Sequence, residues 1–216
     1  MSKNKGAENR FIVIEGNIGA GKTTLSKKVS QDLNARLVLE TFEDNPFLPK
    51  FYKDQERYAF PLELSFLAAR YRQLKEDLEQ GDLFNSLIIA DYYLMKSFIF
   101  AKITLSDDEF RLYREFFDMI RTVSVKPDVM FYIHRDEDRL LSNIVQRGRS
   151  YEMGLDKNYL SSVTRGYFDY FKEVRDFPVV VIDATQVDFK TESHYKKFVN
   201  LLDNSYKNGV TNIKII

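Results

Sequence analysis

The chain has 216 residues, with 32 Lys+Arg against 32 Asp+Glu, two histidines and no cysteine. Formal neutrality excludes a global field that would draw it to nucleic acid or anionic lipid, so any basic site has to be local. The missing thiols exclude disulfides and thiolate metal sites and suit a reducing compartment, while the length suits one compact α/β domain over residues 1–216.

Residues 1–10 (MSKNKGAENR) are polar and mixed in charge, which predicts a disordered arm rather than a signal peptide. No later run approaches the length of a membrane span, and the expected address is the cytosol. A first strand is predicted over 11–15 and a helix over 22–33, with Leu25, Val29 and Leu33 on one face. Between them stands Gly16-x-x-x-x-Gly21-Lys22-Thr23, the P-loop spacing. Gly16, Asn17, Ile18, Gly19, Ala20, Gly21, Lys22, Thr23 and Thr24 are the expected nucleotide cradle, where backbone N–H groups and a helix N-terminus meet phosphate oxygens. Gly16, Gly19 and Gly21 permit the positive φ and close backbone approach that such a loop needs. Lys22 is expected on the β- and γ-phosphates, and the Thr23 hydroxyl on Mg²⁺.

A second strand over 36–40 delivers Glu40 to the carboxyl rim of the sheet, where open α/β sheets bind ligands. Residues 41–50, with Pro46 and Pro49, read as a loop. The pattern over 51–80 is helical, irregular near Pro61, and carries Leu62, Phe66, Ala69 and Leu74 before Gly81-Asp82 ends it. Strand three, 86–91, closes on Asp91 in the manner of a Walker-B strand. Helices follow over 92–102 and 107–123, the second opened by a Ser106/Glu109 capping box. Strand four spans 128–134 and a helix 136–147, leading into RGRSYE. A helix over 157–175, strand five over 179–183 and a helix over 193–206 complete the pattern, with a β-prone tail at 210–216 to which no role is assigned. Five strands separated by helices predict a P-loop kinase fold: a five-stranded parallel sheet covered on both faces, with an Arg-containing lid.

A P-loop implies a nucleoside triphosphate, not what is done with it. No Asn-Lys-x-Asp and no Asp-x-x-Gly motif supports a GTPase switch, and the chain is too short for an AAA or motor ATPase. A small phosphotransferase remains, which needs a base, cations for the transferred group and a lid that excludes water. Glu40 is the candidate base, Asp91 the candidate Mg²⁺ ligand, and Arg147 and Arg149 around Gly148 the candidate lid cations. Each has a plainer reading: arginine at a helix C-terminus complements the dipole, and a strand-end carboxylate needs no function. Asp183 is the competing Walker-B acid, though its place on the last strand favours a structural or base-loop role. His134 and His194 lack a third ligand and receive no role, and Asp107-Asp108-Glu109 is an acidic first helical turn.

IEGNIGAGKTT (14–24), LETFEDNPFLPKFY (39–52) and RGRSYEMGLDKNYL (147–160), in this order, resemble the deoxyribonucleoside kinases, especially the bacterial deoxyadenosine/deoxyguanosine kinase branch. The resemblance implies transfer of the γ-phosphoryl of ATP to the 5′-hydroxyl of a deoxyribonucleoside, with Glu40 activating that hydroxyl. It further implies that Tyr52 and Glu152 hold the sugar 3′-hydroxyl, that Arg147 and Arg149 serve the lid, and that the protein is a homodimer. Two departures stand out. The family places an Arg directly after the strand-three acid, where Asp91 is followed by Tyr92 and Tyr93, so Arg70 or Arg72 has to serve Glu40 or activity is weaker. A further lid Arg is replaced by Asn143. At the base pocket, Glu63 occupies the position of a family Gln; an ionised carboxylate only accepts hydrogen bonds and suits the guanine edge or an exocyclic amine. Phe47, Tyr58, Phe66 and Phe100 are candidate stacking or core aromatics.

The expected substrate is a purine deoxynucleoside, deoxyadenosine ahead of deoxyguanosine, with no nucleic acid or membrane partner. A nucleoside monophosphate kinase of thymidylate-kinase type, or a regulatory P-loop module with weak catalysis, stand as alternatives.

Overall fold

The structure, a computed structural model, describes residues 10–41, 45–51, 53–79, 87–149, 152 and 154–215. Its first half runs β1 (Arg10–Gly16), α1 (Lys22–Asp32), β2 (Arg36–Val38), α2 (Leu48–Phe51), α3 (Gln55–Glu79), β3 (Leu87–Ala90) and α4 (Met95–Thr104). The second half runs α5 (Asp107–Val123), β4 (Val129–His134), α6 (Glu137–Arg147), α7 (Lys157–Phe171), β5 (Pro178–Asp183), α8 (Glu192–Leu202) and β6 (Gly209–Lys214).

The sheet has six parallel strands, not five, in the order β2-β3-β1-β4-β5-β6. The sixth is the β-prone tail, whose exposure alternates along its length as an edge strand's does. Period two along the strands divides the core into two layers. Phe11 and Val13 of β1 and Met130 and Tyr132 of β4 pack with α3, α4, α5 and α7; Ile12, Ile14, Phe131 and Ile133 pack with α1, α6 and α8. Both faces are therefore covered, as near-continuous apolar strands require. β1 lies between β3 and β4, so the chain leaves it at the switch in strand order, where a crevice opens beyond the carboxyl ends.

Several predicted boundaries move for identifiable reasons. Strand two stops at Val38 because the next backbone groups bond to side chains: Gln73 Nε2 donates to the Leu39 carbonyl at 2.7 Å, and the Glu40 N–H donates to Asp91 at 2.8 Å. A short helix, α2, stands in the expected 41–50 loop, and α3 begins at Gln55 and passes through Pro61. That ring has no N–H, which removes one rung of the helix ladder. α4 starts three residues late, at Met95, and the Tyr93 N–H before it goes to the Glu15 carboxylate at 3.0 Å. α7 ends at Phe171 in turns such as Glu173 N–H to the Tyr170 carbonyl, 3.0 Å. Leu33 is 38% exposed and does not share the buried face of Leu25 and Val29. Arg10, expected in the arm at 1–10, instead opens β1, with its guanidinium donating to the Leu202 carbonyl at 2.6 Å; the rest of that arm, Gly81-Asp82 and the first residue of the predicted strand at 86–91 lie outside the described residues.

Candidate functional site

The P-loop is held from below and behind. Asn17, 2% exposed, donates through Nδ2 to the Leu160 carbonyl (2.7 Å) and to Thr164 Oγ1 (2.8 Å), and accepts from the Ile18 N–H. Asn143, which stands where the family resemblance calls for a further lid Arg, donates to the Gly19 carbonyl at 2.7 Å. Arg135 donates to the carbonyls of Ala20, Ala184 and Val187, at 3.0, 2.6 and 2.8 Å, tying the loop to the chain after β5. Gly19 and Gly21 take positive φ, whereas Gly16 has an ordinary φ and serves close packing on β4. Beneath the loop Glu15 is fully buried; its carboxylate accepts from the N–H groups of Gly16 and Tyr93 and from the Tyr167 hydroxyl, each at 3.0 Å. Burial pushes its pKa up, against the opposing charges of Lys22 and Lys96.

Gly19, Ala20, Gly21, Lys22, Thr23 and Thr24 line a cleft of about 650 Å³ together with Arg135, Arg139, Arg147 and Arg149. Lys28 and Lys190 add to these, and Asp188 is the acid among the lining residues. A formally neutral chain thus concentrates cations in one place, a surrounding made for a polyanion. Lys22 Nζ donates to the Asn17 carbonyl at 3.1 Å, and burial, then the charge of Lys96, lower its pKa to about 8.

At the cleft's inner edge Thr23 Oγ1 donates to Asp91, a buried carboxylate just past β3. One hydroxyl and one carboxylate facing a phosphate cradle form a donor set that Mg²⁺ accepts when phosphates and water complete its shell. Asp183 instead accepts from the Thr185 N–H at 3.1 Å, the structural alternative. His134 packs on Tyr132 and Phe168, and His194 sits against the Asp188 backbone; neither lines a described cavity.

Glu40 lines an adjoining pocket of about 680 Å³, which shares Lys22, Thr23, Arg147 and Arg149 with this cleft, and also lines a second cavity of about 450 Å³. Its Oε1 accepts from Arg70 Nε at 2.9 Å and Nη2 at 2.6 Å, and its Oε2 accepts from Lys96 Nζ. Burial alone would push the Glu40 pKa up, but the charges of Lys96 and Arg70 hold it well below the usual carboxylate range. Of Arg70 and Arg72, the two arginines considered for this carboxylate, it is Arg70 that reaches it. Lys96 was missed from sequence, although a lysine in the first turn of the apolar helix MKSFIFAKIT, just beyond strand three, was a usable signal.

The second cavity is mostly apolar, with Ile18, Leu62, Phe66, Phe100, Ile103 and Tyr159 among its walls, and Glu63 and Glu152 also line it. Phe47 and Tyr58 instead stand around Lys50, with ring centroids 5.7 and 5.8 Å from its ammonium. Glu63 accepts from the Thr104 hydroxyl at 3.2 Å. Glu152 accepts from Arg147 Nε at 3.1 Å and lies 3.6 Å from Arg149 Nη1, so the lid arginines reach from the cleft to this wall. Tyr52 lies outside the described residues.

Residues 12–207 match a model of the deoxynucleoside kinase family. The chain belongs to that family. It is 35% identical over 183 residues to a deoxyguanosine kinase of Bacillus subtilis, covering 83% of this chain and 88% of the relative. It is 30% identical over 191 residues to a deoxyadenosine/deoxycytidine kinase of the same organism, covering 87% and 88%. A solved deoxyadenosine kinase of M. mycoides with bound dATP superposes with a TM-score of 0.78 at 28% identity, covering 90% of this chain and all of the other. This deoxynucleoside kinase is thus an ATP-dependent phosphotransferase on the P-loop kinase fold. No helix among its described residues is long and apolar enough to cross a membrane.

Proposed function

We propose that this kinase phosphorylates the 5′-hydroxyl of a purine deoxyribonucleoside with Mg-ATP, through Glu40. The observation that carries this reading is the position of Glu40: an ionised carboxylate between Arg70 and Lys96, lining both an apolar cavity and the pocket that shares Lys22, Thr23, Arg147 and Arg149 with the cationic cleft. The triphosphate occupies the cleft, with Lys22 on its terminal phosphates. Thr23 and Asp91 would hold Mg²⁺, which would supply neutralisation of the triphosphate's negative charge. Arg147 and Arg149 stabilise the equatorial oxygens of the transferring group.

A carboxylate held so far below its usual pKa is a weak base, which suits phosphoryl transfer. The loose transition state asks little nucleophilicity of the hydroxyl. Glu40 orients the 5′-OH and accepts its proton late, as the new O–P bond acidifies it. Glu152 and Tyr52 hold the 3′-hydroxyl, and Glu63 meets the base.

A monophosphate kinase fits less well. Its acceptor brings an anion into a cavity whose walls include Glu40, Glu63, Glu152 and Asp156 against Arg70 and Lys96. One kinase domain carries both clefts, and its cysteine-free sequence suits a reducing cytosol. The molecule forms a homodimer, supported by the exposed apolar stripe Leu112, Phe116, Met119 and Val123 on α5.

A Mg-ATP assay across the four deoxyribonucleosides and their monophosphates tests this. Turnover of deoxyadenosine and deoxyguanosine, reduced at least about hundredfold in Glu40→Gln, is the expected result. Turnover of monophosphates alone would move the assignment to the alternative, and tight ATP binding without turnover would point to a regulatory module.

A further inference from the structure

Glu15 is a buried acid that the reaction above does not use. It lines none of the three cavities around the site, so it acts through what it holds. Its Oε2 accepts from the Gly16 N–H, where the phosphate loop leaves β1, and from the Tyr167 hydroxyl of α7; its Oε1 accepts from the Tyr93 N–H, between β3 and α4.

Each of these three elements carries a different part of the reaction. The loop brings Lys22 and Thr23 to the triphosphate. The β3–α4 connection is flanked by Asp91, which meets Thr23 and the Glu40 N–H, and by Lys96, which meets the Glu40 carboxylate. α7 follows the lid segment in the chain and holds Asn17 of the loop through the Leu160 carbonyl and Thr164. Resting on the kinase reading above, we propose that Glu15 is a positioning residue: its carboxylate sets the phosphate loop at a fixed separation from the Asp91–Lys96 segment that serves the acceptor, with α7 as a third arm.

The sheet alone does not fix that separation. β1 and β3 stay in register as far as Val13 and Ala90; β1 then runs on beside β4 to Gly16 and Ile133, while β3 ends and the crevice opens. The Asp91 N–H is taken by the Val38 carbonyl of β2 at 3.1 Å. Beyond the last β1–β3 pair, the Glu15 side chain carries the connection across.

The joint needs a carboxylate in particular. Backbone N–H groups only donate, and the two here lie on different oxygens of Glu15. An amide of the same shape has one acceptor oxygen, so in either orientation it sets N–H against N–H at Gly16 or at Tyr93 and leaves that group buried and unpaired. Burial, and then the charge of Glu15, push the Tyr167 pKa well up, which keeps its hydroxyl a donor. An apolar side chain would fill the space without the cost of burying a charge, but it would join nothing. Phosphoryl transfer is sensitive to such a joint, because a misplacement of about 1 Å costs about hundredfold in rate.

Glu15→Gln is the test, read by single-turnover transfer from Mg-ATP to the deoxyribonucleoside that the unaltered enzyme uses best, by separate binding titrations of the two substrates, and by thermal unfolding. One N–H arm survives the change, as do the supports of the loop from Asn17, Asn143 and Arg135. The expected result is a transfer rate lower by about thirtyfold or more, with both dissociation constants within about threefold of wild type. Tyr167→Phe removes the third arm without orphaning an N–H, and is expected to slow transfer by about threefold to tenfold with binding kept. Where Glu15→Gln does not fold, Tyr167→Phe decides, and a wild-type rate in it overturns the proposal. Transfer at the wild-type rate in Glu15→Gln, even with a lowered melting temperature, would make Glu15 part of the core and no more. A loss confined to ATP affinity would make it a support of the phosphate loop alone. Either result overturns the proposal and leaves the kinase reading standing. Failure of the unaltered enzyme to turn over any deoxyribonucleoside would overturn both.

Discussion

Glu40 has two cations within reach because one would not hold it in this site. Removing a carboxylate from water costs several kcal/mol, which a single ion pair seldom recovers, and the guanidinium of Arg70 together with the ammonium of Lys96 overcompensates. Lys96→Gln is therefore expected to let the burial effect raise the Glu40 pKa, with Arg70 alone opposing it. The sign is fixed: a carboxylate with a raised pKa is lost to protonation as pH falls. At pH 8 the variant is expected to be about tenfold slower than wild type in kcat/KM with the same nucleoside, and the gap widens below about pH 6. A variant-to-wild-type ratio that stays constant across that range would mean that Lys96 acts on the donor phosphates and not through Glu40. At this scale the sequence was readable in part. Glu40, Asp91, Arg147 and Arg149 were singled out by predicted strand ends and a glycine turn, and the structure brings all four to the wall of one pocket. Arg70 stood as one of two candidates on a long helix until its partner was known. Lys96 and Arg135 were hidden, because a lone basic residue inside an apolar or mixed run gains meaning only from the acid or carbonyls the fold brings to it.

The P-loop is the element where local geometry and neighbours can be separated experimentally. Gly19 and Gly21 share positive φ, 80° and 89°, but their surroundings differ. A Cβ on Gly19 would lie 2.5 Å from the Leu140 carbonyl oxygen of α6, whereas one on Gly21 meets nothing within 4 Å. Gly21→Ala is then expected to cost about 1 kcal/mol, the left-handed penalty alone. Gly19→Ala adds a backbone clash, so a loss of about 3 kcal/mol or more is expected, together with weaker ATP binding as the loop lifts from α6. Denaturant midpoints and nucleotide titrations of the two variants check this, and equal losses would show that α6 does not shape the loop. Elements followed the same logic of legibility. Strands one, three, four and five were apolar runs closed by acid or turn residues, and the Ser106/Glu109 box marks the start of α5. The sixth strand was not legible as one, since an alternating tail is an edge strand only once β5 lies beside it. The true end of β2 depended on Asp91 taking a backbone N–H that a ladder would otherwise claim.

At the scale of the whole molecule, one surface is out of keeping with the rest. Along α5, Tyr113 and Phe117 face inward, while Leu112, Phe116, Met119 and Val123 follow one another at helical spacing with 46, 38, 58 and 68% exposure, and Val125 extends the stripe. Scattered apolar residues on a surface need no explanation, but a continuous row does. Its flanks carry Arg111–Asp108 and Arg114–Asp118 pairs, the polar rim an interface core requires. A second copy meeting this stripe through a two-fold axis satisfies it, because an isologous contact pairs the same apolar row with itself. Sedimentation equilibrium at micromolar concentration is expected to give twice the mass of the 25.4 kDa chain, and a melting temperature that rises with protein concentration. Met119→Asp, which places a carboxylate at the middle of the row, is expected to yield a monomer whose melting temperature no longer depends on concentration, while its cavities and their lining residues are left intact. A monomeric wild type at those concentrations would overturn the dimer. A dimer untouched by Met119→Asp would move its interface away from α5, because a buried unpaired carboxylate at its centre could not be tolerated.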